Sequence, residues 1–183
     1  MMDDLRWGAL ELRILLSVIT RISSRALEQS LHAQGLPISA LQHSVLRLLS
    51  RHPFTIAELS RKLGLTPATL VPAVDALERH GLAARSRDPH DRRRTPLVLS
   101  EAGTALLARL PPVADDDVLL CGLARMPAER RDALLNLVRE LLRTLPDGSI
   151  AADDVAAMIR SAAAQAGNAA VPDPEHQQKA GEP

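Results

Sequence analysis

TIAELSRKLGLTPATLVPAVDALERHGLAARSRDPHDRRRTPLVLS, from Thr55 to Ser100, is the stretch whose reading decides the fold. Thr55 and Glu58 have the S/T-x-x-E spacing of a capping box, so a helix starts here. Ile56, Leu59 and Leu63 then share one helical face. Gly64 ends that helix, because glycine tolerates the positive φ of a helix terminus. Thr66 caps the next helix and Pro67 suits its first position, where no N–H is needed. Leu70, Val74 and Leu77 form its apolar stripe, and Gly81 closes it. So short a break between two helices fits a helix-turn-helix better than a bundle loop.

Leu82 to Arg87 and Thr95 to Leu99 then read as two β-compatible runs. Asp88-Pro89-His90-Asp91 between them is turn chemistry. The expected hairpin carries five arginines, Arg85, Arg87, Arg92, Arg93 and Arg94, against Asp88 and Asp91. A charged hairpin is ordinarily a solvated one. Directly behind a helix-turn-helix, the same arginines suit the phosphates and narrow minor groove of duplex DNA. The hairpin is then a wing, and the second helix is a recognition helix.

The ordered run LGLTPATLVPAVDALERHGLAARSRDPHDRRRTPLVLSEAG resembles the signature region of the MarR family of transcriptional regulators. The likeness lies in the Leu65-Thr66-Pro67-Ala68-Thr69 helix start, Val74-Asp75, Leu77-Glu78 and Gly81-Leu82. It continues in Arg87-Asp88-Pro89, Asp91-Arg92-Arg93 and Leu99-Ser100-Glu101-Ala102-Gly103. It extends more loosely from about Leu5 to Leu145. The resemblance implies a homodimer that binds double-stranded DNA and a small-molecule effector that releases it, with any effector pocket between the dimerisation helices and the winged helix. It also implies that Arg93, oriented by Asp91, enters the minor groove while Arg92 and Arg94 serve phosphates. Family members commonly carry a polar and then a basic residue where this chain has Val71 and Pro72. That departure leaves open a second reading, a dimeric adaptor with weak or no sequence-specific DNA binding.

The whole-chain balance of 22 basic and 22 acidic residues conceals a strong asymmetry. Residues 36–100 hold ten basic and five acidic side chains, whereas residues 101–183 hold eight and thirteen. A basic centre is the electrostatic footprint of a nucleic-acid binder. One Trp, one Phe and no Tyr exclude stacking platforms for single strands. The apolar residues are mostly Leu, Ala and Val, which favours helices.

Cys121, the one cysteine, excludes an intramolecular disulfide and a multi-cysteine zinc site. It sits in an apolar pattern with Arg125 as its nearest basic neighbour, so a small buried hydrophobe is expected rather than a redox switch. The N-terminus lacks a signal-peptide layout and no apolar run reaches membrane-spanning length, which points to the cytoplasm. No protease, P-loop, hydrolase or dinucleotide motif is present, so neither an enzyme nor a cofactor is expected. Asp115 to Asp117 are adjacent and splay around a helix start, and no metal site is read from them.

Working outward, Asp3 to about Ala33 reads as a long helix that is apolar on more than one side. Leu5, Leu12, Leu15, Ile19 and Ile22 keep one stripe and Leu10, Leu16 and Val18 widen it. Such a helix needs a second partner, expected to be another copy of the chain. Ser39 and Gln42 form a further capping box before a supporting helix. His43 and His52 read as surface or packing residues. Ser100 caps a helix that Pro111-Pro112 interrupts. Pro127 with Glu129 opens another, striped by Leu134, Leu135, Val138, Leu141, Leu142 and Leu145. Ile150 to Ala166 reads as a weak Ala-rich helix, with disorder expected beyond Gly167.

The expected fold is therefore mainly α with a small β-hairpin, a winged helix-turn-helix flanked by N- and C-terminal dimerisation helices. Residues 1–35 form the N-terminal dimerisation helix and 36–100 the DNA-binding domain. Residues 101–145 form the C-terminal dimerisation helices and 146–183 a partly disordered tail. The expected DNA contacts are Thr66, Ala68, Thr69, Val71 and Pro72 in the recognition helix, and Arg85, Arg87, Arg92, Arg93 and Arg94 in the wing.

Overall fold

The structure is a computed structural model that describes residues 2–87, 91, 94–146 and 148–169. It is mainly helical with one two-stranded antiparallel hairpin. In chain order the elements are α1 (Met2–Ala33), α2 (Ala40–Leu49), α3 (Ile56–Leu63), α4 (Pro67–Arg79), β1 (Ala83–Arg85) and β2 (Leu97–Leu99). They continue with α5 (Glu101–Ala108), α6 (Val118–Ala124), α7 (Ala128–Thr144) and α8 (Gly148–Ala169). The chain forms two compact units, Met1–Pro127 and Ala128–Pro183.

Helices α2 to α6 each begin where a side chain satisfies orphan N–H groups. Ser39 and Gln42 form a complete capping box on α2, and Thr55 and Glu58 form one on α3. Glu28 of α1 also accepts the Ala40 N–H at 2.9 Å, which puts a carboxylate at the positive end of α2. Gly64 and Gly81 follow α3 and α4 with φ of 64° and 67°. The core collects Val45, Leu46, Leu59, Leu70, Val74, Leu77 and Leu97, all fully buried.

The strands are shorter than the sequence suggests. Ala83 pairs with Leu99, Ala84 with Val98 and Arg85 with Leu97. The ladder gains one more bond, from the Ser86 N–H to the Pro96 carbonyl at 2.8 Å, but Pro96 has no N–H to return. The Leu97 N–H and carbonyl face away from β1 and bond both backbone groups of Phe54, at 2.8 and 3.2 Å. This single-residue bridge ties the hairpin to the segment before α3.

Ser100 joins three elements. Its hydroxyl donates to the Gly81 carbonyl at 2.6 Å and accepts from the Gly103 N–H at 3.0 Å, linking the end of α4 to the start of α5. Gly103 then packs so tightly that a Cβ there would lie 2.2 Å from the Leu82 carbonyl oxygen.

Two other expectations change. Cys121 is exposed, not buried, because the seven-residue α6 places no side chain in the core. The Ala-rich tail begins a helix at Gly148, immediately after α7. Residues 148–169 form a continuous α8 that packs on α7 and buries Ala152, where a weaker segment over 150–166 was expected. Of the residues beyond Gly167, where disorder is expected, Asn168 and Ala169 belong to α8, and residues 170–183 lie outside the described residues. Asp117 caps α6 through the Leu119 and Leu120 N–H groups, as expected of a helix start. No described helix is long and apolar enough to cross a membrane.

Gly103→Ala is the sharpest test of this packing. The new methyl meets backbone rather than a yielding side chain, so stability should fall by about 1–3 kcal/mol. Thermal unfolding that leaves the midpoint unchanged would refute the close approach.

Candidate nucleic-acid interface

The helix-turn-helix is α3 and α4, joined through Gly64, Leu65 and Thr66. Leu70, Val74 and Leu77 bury one face of α4 against the core, so the other face is forced outward. Thr66, Ala68, Thr69 and Pro72 are exposed on it, whereas Val71 is half-buried. The outward face thus holds four of the five recognition-helix residues expected from sequence. Arg79, which sequence reasoning passed over because it lies beyond the first turns, is exposed at the far end of the helix.

Thr66 caps α4 and its hydroxyl lies 3.0 Å from that of Thr69, while the Thr69 N–H donates to it at 3.3 Å. Pro67 occupies the first turn. The helix neither starts late nor stops at Pro72 but runs through it.

Arg85, expected to reach DNA, is engaged within the protein. Its Nη2 donates to Asp75 at 2.9 Å and its Nη1 donates to Glu78, whose other carboxylate oxygen accepts the Arg85 backbone N–H at 3.0 Å. The hydrogen bond to Asp75 and the Glu78 charge raise the guanidinium pKa further. Two carboxylates one helical turn apart on α4 match the forked donor geometry of arginine. Arg85 therefore braces β1 against α4, which is the reason it does not point away from the protein.

A second brace sits at the other end of the wing. Arg94 Nη2 donates to Glu58 of α3 at 2.7 Å. The Thr55 backbone N–H is the main cause that holds the Glu58 carboxyl below its usual range, with Arg94 and Arg61 assisting. Arg87 is exposed. Arg92 and Arg93, with Asp88, Pro89 and His90, lie outside the described residues.

Behind the interface, Arg47 of α2 donates through Nη2 to the Leu110 and Pro111 carbonyls at 2.8 and 2.7 Å. Its Nε–H donates to His43 Nε2 at 3.3 Å. Burial, aided by the Arg47 charge, pushes the His43 pKa down from 6.5 to about 4. The neutral ring is the form that can accept from Arg47. On the outer side of α3, Lys62 lies over the Phe54 ring at 5.5 Å, and His52 packs on the same ring. Among the described residues no three His, Cys, Asp or Glu side chains gather as a metal site.

Comparison with known proteins decides the family. The MarR family model matches residues 34–94. The transcriptional regulator HosA of Escherichia coli O127:H6 is 30% identical over 106 residues, covering 56% of this chain and 76% of that protein. The chain belongs to the MarR family. Its likeness to the uncharacterized HTH-type transcriptional regulator YcgE of Bacillus subtilis is 39% over 72 residues. That match covers 38% of this MarR-family chain and less than half, 46%, of YcgE. The crystal structure of the S. aureus MepR–DNA complex shares the fold with a TM-score of 0.64 at 21% identity, over 73% of this chain and 96% of that one.

The His43 shift fixes a pH dependence. The folded pKa of about 4 lies below the unfolded value of 6.5, so the unfolded chain binds more protons between them. Stability is complete above pH 6.5 and falls as pH drops towards 4, by up to roughly 3 kcal/mol from this group. Denaturant unfolding across that window should show the loss, and His43→Gln should flatten it. An unchanged slope in the variant would contradict the assignment.

Proposed function

We propose that this MarR-family chain acts as a homodimeric, ligand-responsive transcriptional regulator that holds a pseudo-palindromic operator with α4 and the wing. The observation that carries the reading is the outward face of α4 braced to an arginine-bearing wing through Arg85, Asp75 and Glu78. In this reading α4 enters the major groove with Thr66, Ala68, Thr69 and Pro72, and Val71 at its edge. Arg87, Arg92 and Arg93 meet the backbone and minor groove. Arg85 and Arg94 set the wing's position, so their loss acts through geometry as well as charge. The DNA bound to MepR supports the choice of partner.

Residues 36–100 are the DNA-binding domain, flanked by dimerisation helices in 1–35 and 101–145. The support is apolar surface left uncovered in the single chain. Leu5, Trp7, Ile14 and Leu15 of α1 are at least half exposed, as are Leu137 and Leu145 of the second unit. A soluble monomer rarely shows so much. Two-fold symmetry then sets the half-sites about one helical turn, roughly 10 bp, apart. A small-molecule effector completes the proposed partners.

The adaptor reading has one observation in its favour. None of the exposed residues in the first turns of α4 offers the bidentate contact by which Arg reads guanine or Asn reads adenine.

A shift assay with the promoter-region duplex and a random duplex at two salt levels separates the two readings. The regulator prefers the promoter duplex, and Arg92→Ala and Arg93→Ala each lower the salt slope by about one. Equal affinity for both duplexes favours the adaptor. Sedimentation showing a monomer at micromolar concentration would overturn the dimer.

A further inference from the structure

The face that α4 presents is short of side-chain hydrogen-bonding groups. Thr66 and Thr69 are already hydrogen-bonded to one another, Ala68 offers a methyl group, and Val71 is half-buried. Pro72 has no polar atom in its side chain. What the segment does have is a backbone carbonyl whose usual helical donor is missing.

In an α-helix the carbonyl of each residue accepts the N–H four residues on. The partner position for the Ala68 carbonyl is residue 72. Helix α4 runs unbroken from Pro67 to Arg79, and Pro72 lies inside it without an N–H to give. The pyrrolidine ring occupies the place of that donor and presses against the same carbonyl. Ala68 and Pro72 are both exposed, one above the other on the outward face. Carbonyls on a solvent side tilt outward, and the ring favours the same movement. A peptide oxygen without a partner remains a strong acceptor.

We propose that the Ala68 carbonyl oxygen reads an exocyclic amino group in the major groove, with Pro72 as the specificity-determining residue because it withholds the competing N–H. The inference rests on the reading of α4 as the helix that faces DNA. Adenine N6 and cytosine N4 are the amino donors of the major-groove edge, and guanine O6 and thymine O4 are acceptors. A lone acceptor on the protein therefore tolerates A or C at one position of a strand and rejects G or T. Direct readout by arginine or asparagine side chains would instead fix one base. Amino-over-keto selection is the signature of this device.

The test is selection of bound duplexes from a random pool by the full-length wild type and by Pro72→Ala. The wild-type motif should contain one position per half-site that accepts A and C alike. Alanine restores the residue 72 N–H and favours the helix, so the variant should remain folded and lose discrimination at that position alone. A second arm uses the wild type only. Replacing adenine there by purine riboside, which lacks the N6 amino group, should weaken binding roughly tenfold. The same replacement outside the half-sites should not. A wild-type motif that persists in Pro72→Ala, or indifference to the missing amino group, overturns the carbonyl readout while leaving DNA recognition standing. Absence of any wild-type motif overturns both.

Discussion

The Arg85 guanidinium, forked between Asp75 and Glu78, is the interaction on which the candidate DNA-binding surface depends. A two-stranded hairpin of three residues a side is marginal by itself. It gains a fixed place from three attachments of different kinds. The first is the Arg85 fork to α4. The second is the backbone bridge from Leu97 to Phe54, and the third is the Ser100 hydroxyl, which spans Gly81 and Gly103. Arg94 adds a fourth through Glu58. Each binds the wing to a different part of the helix-turn-helix or its flanks, so the wing is held in place against α4.

These attachments change how the charge of the basic centre is counted. Residues 36–100 carry ten basic side chains against five acidic ones. Arg47 is spent on the Leu110 and Pro111 carbonyls, Arg85 on Asp75 and Glu78, and Arg94 on Glu58, while Lys62 lies over Phe54. Such exposed pairs add little stability on their own. Their effect is to fix direction, and the cations left to meet phosphates are fewer than composition implies. The acidic side chains beside the wing are thus structural partners of arginine rather than defects in a basic surface.

Most of the fold was legible because it rests on local rules. The Ser39–Gln42 and Thr55–Glu58 boxes, the Thr66 and Ser100 caps and the Gly64 and Gly81 termini are written within a few residues of where they act. Less legible was anything set by contacts distant in sequence. The partners of Arg85 lie seven and ten residues away on another element, and the partner of Arg94 lies 36 residues away. An arginine count cannot separate a brace from a phosphate ligand. The exposure of Cys121 was not legible, because an apolar pattern reports what a helix can bury, not whether a short helix reaches the core. The requirement for glycine at 103 had no local sign, since it arises where α5 meets the Leu82 carbonyl. In the candidate site, the outward face of α4 followed from its apolar stripe, but the pairing of Thr66 with Thr69 did not.

If the carboxylates of α4 serve DNA binding by holding the wing, the sign of one effect reveals it. Operator affinity of the double variant Asp75→Asn with Glu78→Gln, measured well below its unfolding midpoint, separates geometry from net charge. Removing two negative charges near DNA should tighten binding if bulk electrostatics governs the interface. If the Arg85 fork governs it, binding should weaken by roughly tenfold, the worth of one lost charge-assisted hydrogen bond. Tighter binding by the variant would show that the Arg85 fork does not govern the interface.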